Sequence, residues 1–90
     1  MRELSVVQKE AQDEAGREYV YDYSILVGEM TVSPGVSCES YGVRIRERGG
    51  ESSEVPNITV SISRIDELME LLIRNTVTPC TLRDVVEDWL

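Results

Sequence analysis

The chain has 90 residues, of which 41% are hydrophobic and 29% are charged, and its nine basic and seventeen acidic residues give a formal net charge of -8. A chain of this size supports one modest core, so we expect a single domain over residues 1–90. The acidic balance repels phosphate backbones and anionic lipid surfaces, which argues against nucleic-acid and membrane binding. The absence of histidine excludes Ser-His-Asp and Cys-His catalysis within one chain.

Two strands are predicted in the first third of the chain. Residues 3–10 mix aliphatic with charged side chains and favour a strand; a helix is the alternative, because residues 10–15 contain good helix formers. Gly16 favours a turn between this strand and the next. Residues 17–28 are rich in the aromatic and β-branched types that fit a pleated surface, and Gly28 then predicts a bulge or bend. The apolar side chains of this second strand are Tyr19, Val20, Tyr21, Tyr23, Ile25, Leu26 and Val27.

A third strand, residues 38–47, follows the turn signal at residues 33–35. If Ile25 of the second strand lies opposite Val43 of the third, every opposed pair in these two strands has residue numbers that sum to an even value. A two-residue loop between the strands gives an odd sum instead. We therefore expect either an odd-length loop or a bulge at Gly28 to absorb one residue.

A fourth strand is predicted after a flexible polar connection over residues 48–53. Ile58, Val60 and Ile62 alternate with polar residues, as in a half-buried strand. Pro56 is expected at its start, where a missing amide donor does least harm.

The last third, residues 63–90, predicts two short amphipathic helices separated by residues 75–78. Ser63 is the expected N-cap of the first helix, and either Thr81 or Thr78 is the expected N-cap of the second. The apolar stripes are Ile65, Leu68, Met69, Leu72 and Ile73 in the first helix and Leu82, Val85, Val86, Trp89 and Leu90 in the second. Helices this short need another surface to cover. The prediction is an α+β fold, a four-stranded antiparallel meander followed by two C-terminal amphipathic helices packed on one face.

One candidate interaction surface emerges from the strand pattern. Arg44, Arg46 and Arg48 occupy alternate positions, hence one face of the third strand, and are positioned to receive an acidic partner or an anion. Pairing with nearby carboxylates such as Asp22 is the favoured alternative. Two residues of the second strand keep the same sheet face partly apolar. The candidate surface comprises Arg44, Arg46, Arg48, Val20 and Leu26.

Other chemistry has weaker support. Cys80 is expected near the first turn of the second helix, where amides stabilise a thiolate, but a buried or half-buried inert thiol is the favoured interpretation. Acidic pairs such as Asp66 with Glu70 lie opposite the apolar stripes, where a solvated face is expected, so no metal or cofactor is predicted. The N-terminal residues lack the apolar core of a signal peptide, and no run approaches the ~20 apolar residues of a membrane span, so a cytoplasmic location is predicted. Cys38 and Cys80 are then expected to be free thiols.

Two short stretches carry a resemblance. Tyr41-Gly42-Val43, and Thr78-Pro79 followed by Leu82 and the run Asp84 to Asp88, resemble a family of short bacterial proteins, mostly from clostridial Gram-positives, catalogued only as a domain of unknown function. The likeness covers the C-terminal two thirds of the chain. Members often carry histidine where this chain has Thr81. The resemblance implies a small standalone cytoplasmic protein and no known activity.

The functional expectation is a non-enzymatic interaction or regulatory protein, whose sheet face or edge strand binds another protein or a second copy of itself. A small-ligand or anion binder, or a thiol-dependent enzyme using Cys80, is the first alternative. An acidic mimic of nucleic acid is the second, although the carboxylates are scattered along the chain.

Overall fold

A computed structural model describes residues 1–90 as four strands followed by two helices. The elements are β1 (Arg2–Gln12), β2 (Glu18–Ser33), β3 (Val36–Glu47), β4 (Ser52–Thr59), α1 (Ile62–Arg74) and α2 (Leu82–Trp89). Each strand pairs antiparallel with the next, in the sheet order β1-β2-β3-β4. The predicted α+β meander followed by two helices is confirmed.

The core lies between the helices and one face of the sheet, called here the helix-side face. Tyr23 is fully buried in it, and its hydroxyl donates to the Val77 carbonyl oxygen at 2.9 Å, which ties the α1–α2 connection to the sheet. Burial raises the pKa of Tyr23 to about 12, so the phenol stays protonated as a donor at neutral pH. The core residues are Tyr21, Tyr23, Val43, Ile45, Ile65, Leu68, Met69, Leu72, Val77, Leu82 and Val86.

The helix boundaries depart slightly from the prediction. The N-cap of α1 is Ser61, two residues before the expected Ser63, and its hydroxyl accepts from the Arg64 amide at 3.3 Å. Thr81 is the N-cap of α2, as one of the two alternatives predicted, but its side chain makes no capping bond to the helix. The predicted apolar stripes are buried at their centres, whereas Leu90 is exposed.

The pairing of β2 with β3 contains one extra residue, as the even sum of opposed residue numbers requires. This residue lies at a different place from the one predicted. Ile25 lies opposite Val43 as expected. The hairpin closes with a two-residue loop, and the register shifts once, around Val32. Gly28 pairs regularly with Ser40, so the bulge predicted at Gly28 is wrong. The bulge lies close to the loop because the short turn itself creates the mismatch that it corrects.

The strand β4 begins earlier than predicted and ends earlier as well. It starts at Ser52, inside the supposed flexible connection, and ends at Thr59. Pro56 therefore lies within the strand rather than at its start, at a register shift that also contains Asn57 with φ of 55°. An edge strand tolerates this, because one side of its backbone has no partner strand.

The alternating pattern over residues 57–62 predicted a strand, but only the first part of this segment is in one. Ile58 is half-buried against the core. Val60 and Ile62 are 53% and 62% exposed, and Ile62 already belongs to α1. Alternation alone did not show that the chain turns away from the sheet after Thr59.

The bulge in β4 folds over the face of the sheet opposite the helices, called here the open face. The Val55 carbonyl oxygen and the Pro56 backbone pass directly over Gly42, where any Cβ would come within 2.6 Å of Pro56 Cα. Next to it, the buried Ser40 hydroxyl donates to Asn57 Oδ1 at 2.5 Å. The open face is thereby closed in its middle by backbone and small side chains.

The hairpin of β2 and β3 extends beyond both neighbouring strands. The pairing of β1 with β2 ends at Val27, and that of β4 with β3 ends at Tyr41. Residues 28–40 therefore project as a two-stranded arm. At ~3.3 Å per residue, a strand of the length of β2 spans about 53 Å, which accounts for the 54 Å long axis of the molecule.

The first edge strand reaches the helices through the only lysine of the chain. The Lys9 ammonium donates to the Ile73 carbonyl oxygen at 2.6 Å and to Thr76 Oγ1 at 2.7 Å. A cation at the last turn of a helix satisfies a terminal carbonyl and opposes the negative end of the helix dipole. This contact joins β1 to the end of α1.

We expect Lys9→Met to lower the free energy of unfolding by about 1 to 2 kcal/mol, because the helix end loses both a charged donor and a favourable charge. Urea denaturation at low salt measures the change. Arg48→Met, which removes an exposed cation whose side chain makes no hydrogen bond or ion pair, is the control. Equal effects of the two variants would contradict the role of Lys9.

We expect Gly42→Ala to lower stability by about 1 to 3 kcal/mol, because the new methyl group meets backbone that cannot move without displacing β4. Gly28→Ala is the matched control. Gly28 lies on the same face of the sheet, in β2, and its Cβ would find its nearest neighbour at 3.5 Å. Thermal denaturation of both variants measures the difference. A Gly42→Ala protein as stable as Gly28→Ala would show that the β4 bulge is not packed over Gly42.

Candidate functional site

The predicted arginines Arg44, Arg46 and Arg48 are called here the arginine row. Arg44 and Arg46 form ion pairs within the protein, and Arg48 forms none. On the open face, Arg44 Nη1 lies 2.5 Å from Glu3 Oε1, and Arg44 Nη2 lies 3.7 Å from Glu54 Oε2. Arg46 Nη2 lies 3.6 Å from the same Glu3 oxygen. The partners are thus on β1 and β4, not Asp22, which accepts from Gln8 instead. The pairing alternative is therefore observed with different carboxylates, and β3 is joined to both edges of the sheet.

The remaining residues of the predicted surface lie apart from this cluster. Leu26 is 2% exposed, between Glu3 and Gly42 of the neighbouring strands, so it offers no apolar surface to a partner. Val20 is half-buried near the other end of β2, where its carbonyl oxygen accepts from the Arg48 amide at 2.9 Å. Arg44, Arg46, Val20 and Leu26 share a sheet face, but they do not form one continuous surface. The prediction that Arg48 lies on the same strand face is wrong, because β3 ends at Glu47 and Arg48 lies in the turn that follows.

The Glu3 carboxylate is the central acceptor of the open face. Its hydrogen bond with Arg44 lowers the pKa of Glu3 from its ordinary value of 4.5, with the Ser24 hydroxyl and the charge of Arg46 acting in the same direction and desolvation opposing them. Its side chain is 32% exposed, so solvent screens the pair. The cluster joins the strands and leaves little positive charge for an incoming anion.

The two thiols lie far apart and show no sign of activation. Cys38 is half-buried in the arm, whereas Cys80 is exposed at the other end of β3, just before the N-cap of α2. The preferred interpretation of Cys80 as a buried or half-buried thiol is therefore wrong. Its Sγ lies 3.3 Å from Glu51 Oε2, and that carboxylate raises the pKa of Cys80, the direction opposite to that of a reactive thiolate.

The chain shows no clustered metal ligands and no enclosed cavity of the kind that binds a small molecule. No group of three or more Cys, Asp or Glu side chains is arranged to hold a metal ion. The surface depressions are shallow and open. None of the helices is long and apolar enough to cross a membrane.

Sequence reasoning missed an exposed apolar surface along β1. Leu4, Val6 and Val7 are 50%, 46% and 38% exposed. Leu4 opposes Ile25 and Val7 opposes Tyr23, so both lie on the helix-side face, and Val6 is the extra residue of a bulge between them. We call Leu4, Val6 and Val7 the β1 strip.

The β1 strip is exposed because the helical layer is offset. The helix α1 packs across β2, β3 and β4, and α2 packs against β4. Between the strip and α1 runs a shallow depression of about 300 Å³. It is lined by Val6, Ile25, Asp66, Met69, Glu70 and Ile73. One signal in the sequence could have indicated this surface. The strand β1 contains three aliphatic residues, and two short helices would have to cover this strand together with the three other strands.

The two edges of the sheet differ in their capacity to pair with another strand. The edge of β4 carries Pro56, a bulge and a residue with positive φ, and α2 packs against this strand. These features obstruct strand addition. The edge of β1 runs for eleven residues without proline, and its single irregularity is at Val6. Its backbone groups are open to a partner strand beside the β1 strip.

The chain belongs to a family of unknown function (DUF6514), whose model matches residues 2–90. The match extends over nearly the whole chain rather than over the C-terminal two thirds that carried the resemblance. No curated protein and no solved structure matches it.

We expect Glu3→Gln to lower stability by about 0.2 to 1 kcal/mol at pH 7, the range of partly exposed ion pairs. Because the pKa of Glu3 is lowered in the folded state, its contribution is complete above pH 4.5 and is lost as the pH falls below that value. Urea denaturation at pH 7 and at pH values below the folded-state pKa measures the effect. Glu54→Gln, at a side chain that is 45% exposed and whose carboxylate lies farther from Arg44, should change stability less. A difference between Glu3→Gln and the parent protein that persists at low pH would contradict the assignment.

Proposed function

We propose that this protein is a non-enzymatic interaction module that binds another polypeptide along β1. The observation that carries the proposal is the exposure of Leu4, Val6 and Val7 together on one strand that the helices leave uncovered. Contiguous apolar side chains beside an open strand edge are typical of binding surfaces, because both the side chains and the backbone gain partners there.

Strand addition fits this surface better than it fits any other part of the molecule. A strand laid beside β1 pairs with its backbone, while alternate side chains of that strand lie over the depression next to α1. The arm also exposes Met30, Val32 and Val36, but Met30 lies on the open face opposite Cys38 and Val32 lies in the bulge, so these side chains form no single face. The open face offers ion-paired arginines and a buried Leu26.

The alternatives have less support from the same geometry. An anion binder using the arginine row has to displace Glu3 from Arg44 and Arg46 before an anion binds. A thiol-dependent enzyme has to use Cys80 against the effect of the Glu51 carboxylate on its pKa. A nucleic-acid mimic needs carboxylates gathered on one surface, whereas Glu3 and Glu54 are engaged with arginine.

The test uses a photo-cross-linking phenylalanine derivative in the full chain, expressed in the cells that produce it. Position Val6 reports on the β1 strip. Val36 on the arm and Val60 after β4, which are similarly exposed at 52% and 53%, serve as controls. Illumination should give a discrete adduct from position 6 and none from the controls. The absence of an adduct from position 6, or an adduct from position 36 alone, would contradict the proposal.

A further inference from the structure

We infer that the polypeptide bound along β1 is a second copy of this chain, with the two β1 strands antiparallel about a two-fold axis near Val6. The inference rests on the proposed function and names its partner. It follows from three features: the faces on which the β1 side chains lie, the net charge of β1, and the difference between the two sheet edges.

The bulge in β1 makes the strand complementary to itself. In a two-fold antiparallel pair, opposed residues must lie on the same sheet face. Leu4 and Val7, three residues apart, would lie on opposite faces of a regular strand, but the extra residue Val6 brings both to the helix-side face. Leu4 of each copy then opposes Val7 of the other, and Ser5 of each opposes Val6 of the other. The axis passes between Ser5 and Val6, with one Val6 side chain on either side of it.

The same register matches regular segments with regular segments. Arg2–Ser5 and Val7–Gln12 pair with β2 without interruption, and only Val6 falls between them. About an axis between Ser5 and Val6, Arg2–Leu4 of one copy runs beside Val7–Lys9 of the other, and the bulge residue Val6 faces only Ser5. Six aliphatic side chains, three from each copy, come together on the helix-side face, next to the depression beside α1.

Charge selects β1 among the surfaces of an acidic molecule. The strand contains Arg2, Lys9, Glu3 and Glu10 and is neutral, so the whole net charge of -8 lies elsewhere in the chain. Two copies repel each other least along this strand. The register places Glu3 opposite Gln8 of the second copy on the open face. It also places Arg2 opposite Lys9, a like-charge pair that opposes association, although the Lys9 ammonium is held by the Ile73 carbonyl oxygen.

The second edge of the sheet explains why association would stop at two copies. Pro56 and the bulge at Asn57 obstruct strand addition at β4, so a sheet joined through β1 has two protected edges. An isologous contact of this kind closes on itself, whereas a contact between different edges would extend into a fibre.

The first measurement is light scattering coupled to size exclusion, on the full chain, from micromolar to submillimolar concentration. A species of twice the 10.2 kDa chain mass is expected. Val6→Lys, which places one ammonium group on each side of the axis and close to the other, should weaken the dimer at least about tenfold. Val60→Lys, the same change at an exposed valine away from β1, should leave the dimer unchanged. A monomer at every concentration, or a dimer unaffected by Val6→Lys, would overturn the inference.

A pair of variants at one position guards against an effect on folding. Gln8→Glu places a carboxylate opposite Glu3 of the second copy and should weaken the dimer, whereas Gln8→Lys places an ammonium group there and should strengthen it. Because Gln8 also donates to Asp22 within the chain, urea denaturation of the monomer measures the effect of each change on folding, and the shift in the dimer constant must exceed that effect. Equal shifts, or none, would overturn the register. The cross-linking experiment separates the two proposals: an adduct of Val6 with a different protein overturns the second copy but retains an interaction at β1, and no adduct overturns both.

Discussion

The register between β2 and β3 is the constraint on which the rest of this structure depends. A two-residue loop joins these strands, and a loop of that length would set Tyr23 and Ile45 on opposite faces of the sheet. The extra residue at Val32 restores the parity, so that the aromatic face of β2 and the aliphatic face of β3 coincide. Without this correction the helices would have no continuous apolar surface to cover, and the core would be divided between two faces.

Once that face is set, the rest of the molecule follows from how much of it two short helices can cover. The helices extend over β2, β3 and β4, and the two tyrosines and two aliphatic residues at the centre become buried against their stripes. The outer strand β1 is joined by polar contacts instead: Glu3 to the arginines on one face and Lys9 to the end of α1 on the other. Its aliphatic residues are left exposed by this arrangement. The same offset therefore explains both the stable centre and the candidate interaction surface.

The sequence predicted those features that depend on local patterns. The 3.6-residue stripes of both helices and the alternation around Tyr23 and Val43 are visible in the residues themselves, and so the fold class could be predicted. The position of the bulge at Val32, the course of β4 over Gly42 and the choice of Glu3 as the partner of Arg44 depend on contacts between distant segments, which a single sequence does not display. The candidate site was missed for the same reason, because the exposure of Leu4 is set by where α1 lies and not by the residues around it.

The arm over residues 28–40 has a consequence for how the molecule opens. Its backbone hydrogen bonds are those of one hairpin, and most of its side chains are exposed, so no core contact is lost when its tip separates. Local opening there is governed by the hairpin alone, while opening of Tyr23 or Val43 requires the whole domain to unfold. Amide hydrogens should accordingly exchange in two classes, fast in the arm and slow at the centre. A protease should cut first beside the loop at Pro34 and leave the helices and the central sheet in one folded piece.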